Sequence, residues 1–239
     1  MDKRLRRKQP QQAVKIDWSN PITKGLYSAT IPGQPDFVTK DKPLTVTGGT
    51  LGVGPAGKCA VQTASGTIAA TSFVPKRLLT ASTTLILAQY PTRVGYGYYF
   101  GATGGTTEYI GSNLYETRLD WRIHGAAGST NVDIFSTDVA VGMFGVAAKC
   151  LILVWNKDKN NGTGRVWVNA RELPNNLSVG HTGVCDRSQS SGRTSFGIKQ
   201  GADSKLFLTL HFDRDLSLAE IKSLSENPWQ VFAPRYRDL

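Results

Sequence analysis

The sequence lacks long apolar runs, and none approaches the roughly 18–20 residues that a membrane-spanning helix needs. Its first residues, MDKRLRRKQPQQ, have the positive charge with which a signal peptide begins, but no apolar segment follows them. We therefore expect a soluble protein that neither inserts into a membrane nor carries a cleaved export signal.

Cysteine and histidine are scarce as well. Cys59, Cys150 and Cys185 lie far apart without a CxxC pair, which favours a reducing compartment and small buried thiols over a disulfide framework. The three histidines are equally scattered, and the stretch HTGVC offers two ligands where a structural zinc site needs four. We expect no bound metal, although the sequence leaves open a calcium site near Asp133 or Asp138.

Motifs of catalysis are missing or incomplete. The stretch GVGPAGKC (52–59) has the spacing of a phosphate-binding loop, but Cys stands where the magnesium-binding hydroxyl is required, and no helical pattern follows. It is better explained as a glycine-rich surface turn. No GxSxG motif occurs, and the acidic pair Asp213 and Asp215 lies in a turn. We expect no catalytic residues, no cofactor and no enzymatic activity.

Long helical patterns are absent, and short alternating segments take their place. From residue 15 onward, these segments are separated by Gly, Pro, Asn and Ser, which is typical of antiparallel strands joined by tight turns. In the segment 118–125, Leu119, Trp121 and Ile123 alternate with polar residues, as a sheet with one core face requires. The clearest strand candidates are 83–90, 97–103, 118–125, 149–157, 164–170 and 194–200.

One short helix is predicted near the C-terminus. Ser217 and Glu220 have the spacing of a capping box, in which each side chain accepts a hydrogen bond from the other residue's backbone amide. Leu216 and Ile221 fit the accompanying hydrophobic staple. The helix is expected to end at Asn227, because a residue before proline is disfavoured in helical conformation.

Three segments carry a family resemblance. They are LFLTLHFDRDLSLAEIKSLSENPWQVFAP (206–234), which is the most specific, IDWSNPITKGL (16–26) and LILVWNKDKNNGTGRVWVNAREL (151–173). Together they resemble the concanavalin A-like (laminin-G-like) jelly-roll domains of bacteriophage and prophage proteins. In the third segment, Ala170 stands where the family usually has the Gly of a Val-Asn-Gly turn.

The resemblance implies an all-β fold, an antiparallel two-sheet jelly roll (concanavalin A-like sandwich) with a short C-terminal helix and about six or seven strands in each sheet. Some members of this fold are glucanases, which usually place their carboxylates as E-x-D-x-x-E or E-x-D-x-E on one strand. Neither pattern occurs among the 18 acidic residues. The resemblance therefore adds no enzymatic function and implies a virion protein.

Positive charge is concentrated at the N-terminus. The formal net charge is +10, and five basic residues and one acidic residue lie within the first eight. We predict that residues 1–14 form a flexible basic arm and that residues 15–239 form one jelly-roll domain. The arm would order against an acidic partner, protein or nucleic acid, or serve as a solvated tail. The predicted anchoring residues are Lys3, Arg4, Arg6, Arg7 and Lys8.

Two functions follow as expectations. The first is a bacteriophage virion structural protein of the tail, fibre base or head decoration, anchored to the particle by the basic arm. It would be made in the bacterial host cytoplasm and located in the virion. Its partners would be other virion proteins and further copies of the chain, whereas nucleic acid is not expected to be one.

The alternative is a carbohydrate-binding module of the phage tail that recognises a host surface glycan. Sugar sites pair an aromatic platform with polar groups, and the candidate glycan contacts are Tyr96, Tyr99, Arg122 and His124. Tyr98, Phe100 and Trp121 are expected to pack in the core instead.

Overall fold

The computed structural model describes most of the chain. The described residues are 8–40, 46, 49–62, 72–73, 78–89, 96–102, 110–115, 119–123, 132–136, 145–156, 164–173, 176–177, 185–186, 193–195 and 203–234. Within these ranges the structure is dominated by strands, and the one α-helix found there lies near the C-terminus, as predicted.

The strands are, in chain order, β1 (Val14–Ile16), β2 (Leu26–Thr30), β3 (Gly49–Gly54), β4 (Gly57–Gln62), β5 (Ser72–Phe73), β6 (Leu78–Leu79), β7 (Ala81–Gln89), β8 (Tyr96–Ala102), β9 (Ile110–Tyr115), β10 (Leu119–Ile123), β11 (Val132–Ser136), β12 (Lys149–Asn156), β13 (Gly164–Val168), β14 (Arg171–Glu172), β15 (Asn176–Leu177), β16 (Cys185–Asp186), β17 (Arg193–Ser195), β18 (Lys205–Phe212) and β19 (Phe232–Pro234). The helix α1 spans Leu218–Glu226, and two 3-10 helices span Pro21–Thr23 and Pro228–Val231.

Two large antiparallel sheets contain most of these strands. The first has seven strands in the order β15-β11-β10-β9-β8-β17-β5, and the second has eight, in the order β14-β13-β12-β7-β18-β4-β3 with β2 also paired to β18. Two small sheets pair β1 with β19 and β16 with β6. The predicted strands 83–90, 97–103, 118–125, 149–157, 164–170 and 194–200 correspond to β7, β8, β10, β12, β13 and β17. The predicted antiparallel two-sheet fold is confirmed.

The central strands of the eight-stranded sheet, β7, β12 and β18, are buried on both faces. Ile152 pairs with Trp167 on one side and with Leu85 on the other, and this row belongs to the core that also contains Ile221 and Leu224 of α1. The neighbouring row, which includes Leu151, Ile86 and Thr209, is buried as well. Burial on both faces explains why β7, β12 and β18 are almost continuous apolar runs in the sequence.

The predicted capping box is confirmed at the start of α1. Glu220 N donates to Ser217 Oγ at 3.3 Å, and Ser217 N donates to Glu220 Oε2 at 2.8 Å. Leu216 and Ile221 are both buried in the core, and Asn227 caps the C-terminal end. Hydrogen bonds from Arg214 and, to a smaller extent, from Ser217 outweigh partial burial and lower the pKa of the Glu220 carboxyl from 4.5 to about 2. The helix is therefore fixed by a charged carboxylate at its first turn.

Arg214 joins this helix to the N-terminal part of the domain. Its guanidinium reaches both oxygens of Glu220, at 2.7 Å and 3.0 Å, and donates to the backbone oxygens of Lys24 and Ile22 at 2.7 Å and 3.3 Å. The Arg-Asp-Leu-Ser turn of the resemblance thus has a structural role, which is to tie two distant segments together.

Ala170 lies in the turn between β13 and β14. Val168 pairs with Arg171, so Asn169 and Ala170 form a two-residue hairpin loop, and their φ angles are 50° and 70°. Two consecutive positive φ values are typical of a type I′ turn, in which Asn-Gly is the favoured pair. Asn169 suits its position, and its side chain accepts from Cys150 N at 3.0 Å. Alanine at position 170 is strained, since its Cβ disfavours this region.

We expect Ala170→Gly to stabilise the protein by about 1 kcal/mol, because glycine removes the strain of the left-handed conformation. Denaturant titration of both proteins would measure the change. The matched substitution Ala219→Gly, at an exposed position in α1, should instead destabilise it. A destabilising effect at both positions would contradict the assignment of a type I′ turn.

The cysteines behave as small apolar residues where their side chains are described. Cys59 and Cys150 are buried, and burial raises the pKa of the Cys59 thiol despite the opposing influence of Lys205. The backbone of Cys185 lies in β16.

Candidate functional site

The predicted glycan contacts fall on the seven-stranded sheet. Tyr96 on β8 pairs with Tyr115, and Arg122 on β10 pairs with Gly111 of the same intervening strand. Because residues of a strand alternate between faces, this register gives Tyr96 and Arg122 the same face of the sheet. Tyr99 lies at a register irregularity between Tyr98 and Phe100. His124 lies outside the described residues.

The same irregularity separates the residues that were expected to pack in the core. Phe100 and Trp121 both pair with Ser112 of β9, so they share one face of the sheet. Tyr98 pairs with Asn113 and shares the opposite face with Tyr96. The cause is a β-bulge, which adds one residue to β8 and interrupts the alternation. That Tyr98, Phe100 and Trp121 pack in the core stays a prediction.

The N-terminal arm is described only at its end. Lys3, Arg4, Arg6 and Arg7 lie outside the described residues, and Lys8 is exposed. Gln9, which the sequence placed in the arm, is 8% exposed and has fixed contacts. The division into arm and domain stays a prediction.

A groove of about 800 Å³ lies beside this N-terminal segment. Three separate stretches of chain form its walls: residues 9–15, residues 31–40 after β2, and the β3–β4 hairpin around Val53, Gly57 and Lys58. The volume lies within the range of about 300–1,000 Å³ found for small-ligand sites. The groove therefore has the size of a binding site, and we call it the N-terminal groove.

Gln9 fixes the first wall of the groove to the hairpin. Its backbone N donates to Ala56 O at 2.8 Å, and its side-chain Oε1 accepts from Lys58 N at 2.7 Å. The contact is close because Gly57, at φ 127°, has no side chain, and a Cβ there would lie 2.6 Å from Gln9 Oε1. Glycine is thus required at position 57 both for its backbone conformation and for the approach of Gln9.

Asp36 organises the second wall. Its Oδ1 accepts from Val38 N at 2.8 Å and from Thr39 N at 3.0 Å, and its Oδ2 accepts from Ser28 Oγ at 2.5 Å. The residue is only 1% exposed, so a buried carboxylate is compensated by three hydrogen bonds. These bonds shape the turn that ends at Lys40 and join it to β2.

The exposed charged side chains that line the groove are positive. Lys15, Lys40 and Lys58 line it and are all exposed, and Lys40 Nζ donates to Phe37 O at 2.5 Å. In the part of the chain that the structure describes, the ion pairs are Arg165–Glu172 and Arg214–Glu220, and neither involves a groove lysine. Asp36 is the one acidic residue among the lining residues that the structure describes.

The remaining lining residues supply amides and apolar surface. Four glutamines line the groove, namely Gln9, Gln11, Gln12 and Gln34. Val53 is 79% exposed at one edge, and the half-buried ring of Phe37 packs edge-on against Phe232 at 5.0 Å. Amides can both donate and accept, which suits hydroxyl-rich ligands.

This arrangement supports binding rather than catalysis. Glycoside hydrolysis needs two carboxylates that flank the scissile bond, and the described lining offers only Asp36, whose oxygens are engaged. Among the described residues, no group of three or more His, Cys, Asp or Glu side chains could hold a metal ion. No helix in the ranges described is long and apolar enough to span a membrane.

Sequence reasoning did not find the groove. Its walls come from segments that look unremarkable singly, and the glutamine-rich stretch 9–12 was assigned to a flexible arm. One signal was present: GVGPAGK was interpreted as a glycine-rich turn, and it forms the β3–β4 hairpin. Nothing in the sequence, however, indicated that Gln9 docks on it.

Three solved structures with a similar fold are described as binding domains. The chain matches the binding domain of Paraclostridial Mosquitocidal Protein 1 with a TM-score of 0.63 and 13% identity, over 85% of this chain and 52% of that one. It matches the botulinum neurotoxin serotype D ligand binding domain, in complex with N-acetylneuraminic acid, with a TM-score of 0.58 and 9% identity. The match covers 84% of this chain and 50% of that one. It also matches the receptor binding domain of botulinum neurotoxin D, with a TM-score of 0.55 and 8% identity, over 86% of this chain and 53% of that one.

These likenesses identify a fold, the antiparallel two-sheet jelly roll. The chain spans about half the length of the toxin domains it matches. No family model matches the chain, and no curated protein matches it in sequence.

Proposed function

We propose that the chain is a non-catalytic carbohydrate-binding module whose saccharide site is the N-terminal groove. The observation that carries the proposal is the groove itself, about 800 Å³ in volume and lined by four glutamine amides, three lysines and apolar side chains. Polar groups of this kind bind sugar hydroxyls, and the apolar patches bind the carbon faces of the rings. A neurotoxin domain in complex with N-acetylneuraminic acid has a similar fold over half of its length, which is compatible with this proposal.

The test is a glycan array followed by calorimetric titration of the best ligand. In the double variant Gln12→Ala/Gln34→Ala we expect at least about tenfold weaker binding, because two hydrogen-bonding amides are lost. Neither amide has an intramolecular role comparable to that of Gln9, so the fold should be retained, and circular dichroism would check this.

Two results would overturn the proposal. An array without any bound saccharide would remove the function. Binding that survives Gln12→Ala/Gln34→Ala but is lost in Tyr96→Ala/Arg122→Ala would place the site on the seven-stranded sheet and contradict the groove.

The biological setting is part of the proposal. The setting that we propose is a phage tail, in which the module would recognise a receptor, and it rests on the resemblance of the C-terminal segment to phage jelly rolls. A structural role in the virion is the second candidate, favoured by the basic residues that precede Gln9. Under it, residues 1–7 anchor the chain to other virion proteins, and the chain forms a homo-oligomer. Removal of residues 1–7 should then abolish incorporation into particles, and normal incorporation would exclude this role.

A further inference from the structure

We propose that the N-terminal groove selects acidic saccharides, that is, short oligosaccharides whose sugar units carry carboxylate or sulfate groups. This inference rests on the proposed function and adds the class of ligand. It follows from the distribution of charge around the groove.

The three lysines come from three different walls. Lys15 lies on β1, Lys40 ends the turn after β2, and Lys58 lies on β4. All three are exposed, and the described residues place no carboxylate in an ion pair with them. Positive charge on several walls of one concave site concentrates the field inside it and attracts anions.

The acidic residue of the described lining offsets at most one of these three charges and is not exposed to a ligand. Asp36 is buried, and Ser28 Oγ, Val38 N and Thr39 N all donate to its carboxylate. A ligand in the groove therefore meets exposed ammonium groups, while the carboxylate lies behind the wall that it stabilises.

The surrounding chemistry favours a sugar over another polyanion. The glutamine amides suit hydroxyl groups, and the volume matches a short oligosaccharide. The described lining has a single aromatic ring, Phe37, which is half buried against Phe232, whereas single-stranded nucleic acid is held by stacking successive bases on several rings.

The test compares tetramers of the same ring type and linkage that differ mainly in charge. The full chain is titrated with an α-1,4-linked galacturonate tetramer, with the neutral galactose tetramer of the same linkage, and with a sulfated galactose tetramer. We expect the acidic tetramers to bind at least about tenfold more tightly than the neutral one. Raising the ionic strength from about 0.1 M to about 1 M, which shortens the Debye length from about 10 Å to about 3 Å, should remove most of that difference. The carboxylated and sulfated arms distinguish the two sources of charge.

Variants locate the effect. The triple variant Lys15→Gln/Lys40→Gln/Lys58→Gln should lose about tenfold in affinity for the acidic tetramers and little for the neutral one. The corresponding triple Arg variant keeps the charge and should restore most of the affinity. Lys222→Gln, an exposed position on α1 outside the groove, is the matched control and should change nothing.

The outcomes separate the two proposals. Equal affinity for acidic and neutral tetramers, with binding lost in Gln12→Ala/Gln34→Ala, would overturn the acidic preference and leave the carbohydrate-binding function. If no saccharide binds, both proposals fall. Binding of a single-stranded oligonucleotide of equal charge, as tight as the acidic tetramers and equally sensitive to the triple Gln variant, would overturn the saccharide class.

Discussion

Replacing Gly57 by alanine is expected to destabilise the protein by about 3 kcal/mol and to lower the affinity for any ligand that binds in the N-terminal groove. The backbone at this position has φ 127°, which L-residues rarely adopt, and the new Cβ would overlap Cβ of Gln9 and lie 2.6 Å from its Oε1. Gln9 would have to leave the hairpin, and the wall formed by residues 9–15 would move with it. Denaturant titration measures the stability, and calorimetric titration measures the binding.

Gly145 provides a matched control. Its φ is 131°, but a Cβ built there meets nothing within 4 Å. Gly145→Ala therefore reports backbone strain alone and should cost only about 1 kcal/mol, without an effect on the groove. Equal losses of stability for Gly57→Ala and Gly145→Ala would show that Gln9 is not docked on the hairpin.

The second large effect is expected at Asp36. Asp36→Ala removes an acceptor from Ser28 Oγ, Val38 N and Thr39 N within a buried site, and the loss of these bonds should cost about 3 kcal/mol. The turn that ends at Lys40 would lose its shape. Stability from denaturant titration and affinity for the acidic tetramer should decline together.

Two substitutions at other positions show how much of the Asp36 effect comes from a single hydrogen bond and how much from burial. Ser28→Ala removes one of the three bonds and should cost about 1 kcal/mol. Asp17 makes the same kind of local turn, accepting from Ser19 N at 3.1 Å, but its bonds are exposed. Asp17→Ala should therefore cost less than about 1 kcal/mol. If Asp17→Ala and Asp36→Ala have equal effects, burial of Asp36 is not what makes it important.

The parts of the fold that could be predicted are those encoded locally. Ser217 and Glu220 lie three residues apart and specify the start of α1 without help from the rest of the chain. The apolar and β-branched residues of the buried strands β7 and β12 predict strands directly from the sequence. The bulge between Tyr98 and Phe100 has no comparable signal, because it depends on pairing with β9. That is why the sequence did not show that Tyr98 and Phe100 lie on opposite faces of the sheet.

The N-terminal groove could not be predicted for the same physical reason. Gln9 contacts Lys58 across 49 positions of sequence, and Asp36 forms its wall by bonding back to Ser28 of β2. Such contacts arise from the sheet topology rather than from local pattern. The sequence did indicate a basic protein with a binding role as one of two alternatives. Which lysines converge on one concave site became visible only with the fold.

The account's central claim is that the N-terminal groove binds saccharide, and an NMR titration tests it most directly. Amide resonances of the labelled full chain are followed while the best saccharide from the glycan array is added. We expect the shifts to concentrate at residues 9–15, 34–40 and 53–58, with saturation at a single site. Shifts confined to β8, β9 and β10, or no shifts at millimolar ligand, would contradict the claim.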